Sequence, residues 1–585
     1  MTKEDFHLFF QQRIVDLYNK LTLDSYRVRS NNSLSLLIEL KNVIESWSKG
    51  NIKKSKTVEV CIEETINSLE KKDSKNNNLC CLDFSSCVLL YLIEDLNNYK
   101  KKLQQEEKEE KRSLSSASHM TFYLSKIIQA NENKYLNILF DKLYDILFQK
   151  EERQYEEFEL LMNFNYYVSE FSCELIRIGY SKVDLFIYFR DILKKRCDLQ
   201  NEFNNIKDKF LIKEKNSYIS VFKIGFGKIN VGTYNDFCDE VPKNLLDKVI
   251  DDKIKKSLKK GSHYKFFIDE EYALDSIGAI KKSRVKLLNI LDSQYKGDIT
   301  LNVTSRAVSF LNSSEIEYLG NFYAYSLDNT LSLKKEYDID LYSNLQKIKE
   351  NKRIDSNIYT RIASAIRHLR IGDYQEEIEQ TFINYWIGLE FLFSSPSSKQ
   401  STFMRLVECF VTISKCCYVK RNLEYLRAKL LYHNVIDESD SISWQDSSYM
   451  DDIISKIPDH LVCLKYQVMM MKSHCHSKDS LKNYVNTHAK NVTFHLHRIY
   501  RLRNELIHEA AIKQDIESIT SDLRYYLVFI MNQSISYFAN REETECKIEV
   551  DDFYWEFESK FKMIQYSKFD MDTLNNISVE SGLVV

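Results

Sequence analysis

Apolar residues recur three and four positions apart along most of the chain, the spacing that gives a helix one apolar face. "VDLFIYFRDILKK" (183–195) shows it well, and residues 1–205 read as a helical region on this ground. Two breaks interrupt that region. One is "KKDSKNNN" (71–78). The other is "KKKLQQEEKEEKRSLSSAS" (100–118), where a charge run passes into serines and predicts a solvated helix end followed by a flexible loop. The pattern changes over 206–350. "SYISVFKIGFGKINVGTY" (217–234) has β-rich runs on both sides of Gly225 and Gly227, which predicts a hairpin turning there. "DITLNVT" (298–304) alternates with period two, and "YALDSIGAIKKSRVKLLNIL" (272–291) is helical, so this stretch is expected to be a small α+β module.

Helical spacing returns over 355–545. "IYTRIASAIRHLRIGDYQ" (358–375) predicts a helix ending near Gly372. In "EEIEQTFINYWIGLEFLF" (376–393), Ile378, Phe382, Tyr385, Leu389 and Leu392 form a core-facing stripe. "SSPSSKQS" (394–401) reads as a loop, and further helices are expected at 402–417, 480–512 and 516–539. Residues 546–585 are a tail whose "EVDDFYWEFESKF" (549–561), aromatic and acidic, is expected to dock on the body.

Composition agrees with a mostly α chain: among 585 residues only 12 are Gly and 3 are Pro. The 82 basic and 85 acidic residues leave a net charge of −3, so no bulk positive charge holds a polyanion and any nucleic-acid contact must come from a local patch. "MTKEDFHLFF" has acids where a signal peptide would be basic and apolar, and "CVLLYLI" (87–93) and "YYLVFIM" (525–531) are too short to span a bilayer. A cytoplasmic protein with no membrane contact is expected. The 13 Cys, with no CxxC among them, then read as thiols without disulfides or metal spacing. "GFGKINVG" (225–232) has the wrong spacing for a dinucleotide or phosphate loop. "SHCHSKDS" (473–480) reads as a loop without an evident fourth ligand beside His474, Cys475 and His476.

The candidate chemistry lies in "HLHRIYRLRNELIHEA" (495–510). With 485–510 as a helix, Val485, Val492, Leu496, Ile499, Leu506 and Ala510 share a stripe, and Arg503 fills the place between Ile499 and Leu506. An Arg within an apolar stripe needs a partner or a wet interface. Tyr500, Asn504 and His508 form a column on a neighbouring face. Arg503 and His508 stand roughly 140° apart on a straight helix, so one copy does not converge both on one phosphate, whereas two copies meeting across a symmetry axis could. Imidazole moves protons near neutral pH, and guanidinium forks onto phosphate oxygens. That is the equipment for metal-free RNA cleavage, with the RNA's own 2′-hydroxyl as nucleophile.

On these residues the chain resembles the HEPN superfamily in its Apea-like branch. "LRNELIH" (502–508) is similar to the family's Arg–polar–(several)–His motif on a late helix. "FINYWIGLEFLF" (382–393) is similar to its earlier helix, with Glu390 after an apolar run. The likeness covers about 355–545. A looser Arg-to-His spacing also occurs at Arg112, Arg361, Arg427 and Arg501, without a comparable setting. The resemblance implies a HEPN ribonuclease domain at 355–545 that needs neither metal nor other cofactor. Arg503, Asn504 and His508 would be catalytic, with Glu390 and Tyr500 supporting them. It implies a homodimer or higher homo-oligomer through that domain, an RNA substrate such as tRNA, and an abortive-infection role against phage. Residues 1–205 would then sense a phage-derived trigger, ahead of the module at 206–350. Arg498 and Arg501, with His495 and His497, either extend an RNA-binding patch or are scattered surface charge. The alternatives are a non-catalytic HEPN scaffold that binds RNA or nucleotide, and a helical interaction protein in which "RNELIH" is coincidence.

Overall fold

A computed structural model gives the architecture. It describes residues 3–19, 31–52, 54–108, 114–148, 157–194, 199–226, 237–247, 255–256, 258–259, 264–293, 301–311, 318–323, 341–375, 377–394, 400–440, 442–509, 516–541 and 547–566. The protein is mostly α with one small antiparallel sheet. It divides into two compact units, residues 1–170 with 329–585, and residues 171–328. No helix among the described residues is long and apolar enough to cross a membrane.

The first unit begins with α1 (Lys3–Tyr18), α2 (Ser33–Ser48), α3 (Ser55–Leu69), α4 (Ser86–Lys108), α5 (Leu114–Asn131), α6 (Tyr135–Phe148) and the start of α7 (Glu157–Arg177). The second continues through α8 (Lys182–Leu193), α9 (Leu199–Ile212), β1 (Asn216–Phe226), α10 (Lys243–Leu246), β2 (Tyr264–Ala273), α11 (Ser276–Ser293), β3 (Leu301–Leu311) and β4 (Tyr318–Tyr323). The chain then returns to the first unit with α12 (Leu341–Glu350), α13 (Ser356–Asp373), α14 (Ile378–Phe393), α15 (Thr402–Tyr432), α16 (Ser447–Lys456), α17 (Val462–Cys475), α18 (Lys478–Glu509), α19 (Glu517–Ala539) and α20 (Val550–Tyr566).

In the second unit the strand order is β2-β1-β3-β4. β1 is central: Val221 pairs with Ile268 and Val308, and Phe222 with Phe267 and Ala307. Successive side chains point to opposite faces. Phe222 and Ile224 therefore join Ile280 and Leu287 of α11, while Val221 joins Val241, Leu245 and Leu258 on the other side. Gly225 is not a turn. It lies inside β1, opposite Tyr264 and Asn302, so the expected hairpin gives way to pairing with later strands; residues 227–236, which would carry its second arm, lie outside the described residues. This unit also starts earlier than the hydrophobic pattern implies. Phe171, Tyr180, Tyr188 and Phe189 gather around Phe210, which draws the end of α7, α8 and α9 into it.

In the first unit α13 and α14 form a tight hairpin. A Cβ on Gly372 would lie 2.5 Å from the Tyr385 ring, and one on Gly388 would meet the Ala365 carbonyl at 3.3 Å. Asp373 closes α13 by accepting from the Tyr385 hydroxyl (2.6 Å) and from Arg524 Nε of α19 (2.8 Å). The tail is a helix, α20. Tyr554 donates to the Leu392 carbonyl at 2.7 Å and stacks on Phe393, and Arg405 pairs with Asp551. Two expected loops are helical instead: Leu114–Ser118 opens α5, and His474 and Cys475 end α17.

Candidate active site on a histidine- and arginine-rich helix

α18 runs 32 residues, and its expected apolar stripe is buried: Val485, Val492, Leu496, Ile499 and Leu506. The side facing α14 and α15 is aromatic. The Tyr500 ring stacks on Phe403 at 3.9 Å with 10° between planes, and lies 5.8 Å from Trp386. Among the described residues Glu390 meets no basic side chain of α18. Its carboxylate accepts from the Trp386 indole at 3.0 Å, so it fixes the ring on which Tyr500 leans.

His495 and His497 are not surface charges. His495 shares its Nδ1 with the Tyr526 hydroxyl (2.9 Å) and sets Nε2 3.3 Å from Asp522. His497 is 3% exposed, edge-on to Phe403, and its Nδ1 has no hydrogen-bond partner among the described residues. Burial, with Arg501 and Lys56 nearby, pushes its imidazole down to about 3, so it is neutral and forms part of the core.

Arg498 and Arg501, read from sequence as a possible RNA-binding patch, are withdrawn from that role. Arg498 reaches Glu39 of α2 (Nε to Oε1 2.9 Å) and Glu64 of α3 (Nη2 to Oε2 2.7 Å). Arg501, 6% exposed, pairs with the same Glu39. Burial alone would raise the Glu39 carboxyl, but the two guanidiniums hold it down at about 2. The Arg498 guanidinium is likewise held charged by Glu39 and Glu64 against its burial. These two arginines and two carboxylates, Arg501 and Glu64 buried and Arg498 and Glu39 largely so, neutralise each other and leave no charge for phosphate.

Arg503 differs. Among the described residues it has no carboxylate partner. Its Nη1 donates to Asn504 Oδ1 beside it (3.1 Å), and its Nε is buried without a hydrogen-bond partner. The guanidinium is half-buried on the apolar stripe and retains donor capacity. His508 follows on the same helix, but its side chain lies outside the described residues, as do residues 510–515. The structure thus sets Arg503 and Asn504 side by side, places Tyr500 one turn earlier in an aromatic stack, and removes Arg498 and Arg501 from the site.

Glu39 and Glu64 were invisible to sequence reasoning. They lie 459 and 434 residues from Arg498, and no local pattern marks them. Phe403 carried no signal beyond its place on a helix. Among the described residues no three metal-ligating side chains converge; His474 instead stacks on Tyr484 at 4.1 Å. No family model, no curated protein and no solved structure matches this chain.

Proposed function

We propose that the chain is a metal-independent, HEPN-type endoribonuclease acting through Arg503, Asn504 and His508. One observation carries the reading: of the three arginines on this turn of α18, Arg503 alone is not neutralised by a carboxylate among the described residues, and its Nε is unpaired. A half-buried guanidinium with spare donors is suited to take up an anion. In the reaction, His508 takes the proton of a ribose 2′-hydroxyl, and that oxygen attacks the adjacent phosphorus. The bond to the 5′-oxygen breaks and that oxygen gains a proton. Arg503, oriented by Asn504, balances the charge that builds on the phosphoryl oxygens. The products are a 2′,3′-cyclic phosphate and a 5′-hydroxyl. Because Arg503 and His508 diverge by roughly 140° on one helix, the site is completed by a second copy of α18. Accessible loops, such as those of tRNA, fit this chemistry best. The physiological role that goes with it is growth arrest on phage infection, with the N-terminal helices receiving the trigger.

The test is sequencing of RNA ends after expression of wild type, Arg503→Ala and His508→Ala. Wild type yields cyclic-phosphate ends, including in extracts treated with EDTA, and both variants lose at least about a hundredfold of the activity. Equal cleavage by His508→Ala, or 3′-hydroxyl ends, refutes the mechanism. A second reading, a non-catalytic scaffold that binds RNA or nucleotide, draws on the buried Arg498–Glu39–Arg501 cluster, which gives this helix a structural task of its own. It predicts RNA binding without new ends.

A further inference from the structure

We infer that the outer face of α13 is a docking strip for single-stranded RNA. The inference rests on the ribonuclease reading and names where the substrate's backbone lies. Residues 347–373 carry seven cations against three acids, in a chain whose net charge is −3. Two of those acids are occupied: Asp373 by Arg524 and Tyr385, and Asp355 by Lys547 at 2.8 Å. Glu350 remains, and Glu376 and Glu377 follow in sequence beyond the far end of the helix.

Arg367, Arg370 and Tyr374 share one side of α13, whereas Arg361 turns inward to the Ser394 carbonyl. Ser356, Thr360, Arg367, Arg370 and Tyr374 are exposed and follow at steps of three, four and seven, while Ile358, Ile362, Ala365 and Leu369 are buried on the opposite side. Lys349 of α12 joins at the start, its Nζ 5.7 Å from the centre of the Tyr359 ring. Arg367 and Arg370 make no ion pair or side-chain hydrogen bond among the described residues. Tyr374 closes the strip with 81% of its surface exposed. From Tyr359 to Tyr374 the strip runs about 22 Å, enough for a short run of nucleotides.

Cations alone would suit any polyanion. Aromatic rings beside them favour a single strand, whose unpaired bases stack on the exposed Tyr374 and on the half-buried Tyr359 while its phosphates meet the guanidiniums. The small residues Ser356, Thr360 and Ala363 between the rings and arginines let a backbone approach closely. The strip lies on the outside of the α13–α14 hairpin, whose inner helix holds Trp386 against Tyr500 of the candidate site.

The test uses the full chain and a fluorescein-labelled 2′-O-methyl oligouridine, which cannot be cleaved through its 2′-oxygen, with anisotropy read across a salt series. Arg367→Ala/Arg370→Ala should weaken binding about tenfold and flatten the log–log salt slope by about 1.4, for two lost phosphate contacts on a single strand. Arg367→Lys/Arg370→Lys should restore both. Tyr374→Ala should weaken binding at least about fivefold and leave the slope unchanged. All three substituted positions are exposed, so far-ultraviolet circular dichroism should match wild type. Unchanged affinity and slope in the double alanine variant overturn the proposal, as does no binding by wild type. Equal affinity for duplex RNA overturns the single-strand assignment. Equally strong capture of polyglutamate, lost in the same variants, makes the strip a protein-facing surface and overturns it too. Cleavage is scored separately. RNA ends that appear while the strip variants bind normally remove the strip and leave the nuclease; strip-dependent binding without ends does the reverse.

Discussion

Glu39→Gln isolates the contact between the N-terminal helices and the candidate site helix. Glu39 faces both Arg498 and Arg501, and the substitution leaves Arg501, 6% exposed, without a carboxylate among the described residues while Arg498 keeps Glu64. The magnitude follows by two routes. Holding the carboxyl at about 2 instead of 4.5 corresponds to about 3 kcal/mol in favour of the folded, ionised form. Breaking one side of a buried ion pair costs about 3–5 kcal/mol by analogy with other proteins. All four tryptophans (Trp47, Trp386, Trp444 and Trp555) belong to the first unit, so urea unfolding followed by their fluorescence reports that unit alone. At pH 7 Glu39→Gln should lower its unfolding free energy by about 3 kcal/mol. The Glu39 carboxyl titrates lower in the fold than unfolded. Its stabilisation is therefore full above the unfolded value of 4.5 and disappears as pH falls towards 2, so the gap between wild type and variant should close over that range. Glu39→Leu/Arg501→Met, which removes both charges, should cost far less than Glu39→Gln. A loss under about 0.5 kcal/mol at pH 7, or a gap that does not narrow in acid, refutes the buried-network argument.

Three other outcomes follow from the same structure. Gly372→Ala drives a methyl into the buried Tyr385 ring and should cost about 1–3 kcal/mol in the tryptophan-monitored unfolding of the first unit; a neutral result would show that α13 and α14 separate freely. In the second unit, burial and the neighbouring Asp275 push Asp184 up to about 7. Because this acid titrates higher in the fold than unfolded, its contribution is full below about 4 and lost as pH rises to 7, so Asp184→Asn should slow hydrogen exchange of α8 and α11 at pH 8 and change little at pH 4. Faster exchange in the variant at pH 8 counts against it. His497→Phe should remove an acid liability. The imidazole is neutral in the fold down to about 3 but protonates near 6.5 when unfolded, so the variant should hold its stability better between those values, and an identical acid profile would show the ring to be solvated.

The helices with clean spacing were legible in the chain itself. α8, α13 and α14 lie where their apolar stripes place them, and so does the stripe of α18, because the period of burial and the period of the backbone are the same quantity there. Partner choice was not legible. β1 reads as one arm of a local hairpin, yet it pairs with strands about 40 and 80 residues later, since alternation specifies a pleated strand and not its neighbour. The helices of 171–212 read as a continuation of the N-terminal region, yet a cluster of aromatic rings around Phe210 assigns them to the module.

The candidate site shows the same division most sharply. The order of residues by itself determined that α18 would be amphipathic, that its polar side would carry His and Arg, and that Arg503 would sit on the apolar stripe. Which of its arginines keeps a charge to offer was decided only by the tertiary structure. Arg498, Arg501 and Arg503 are chemically identical in the sequence, and what separates them is whether a carboxylate from a helix more than 400 residues away comes within hydrogen-bonding distance. Coulomb attraction acts over a few ångströms of space and is blind to separation along the chain, so only the folded arrangement could tell the two neutralised guanidiniums from the third, which meets no carboxylate among the described residues.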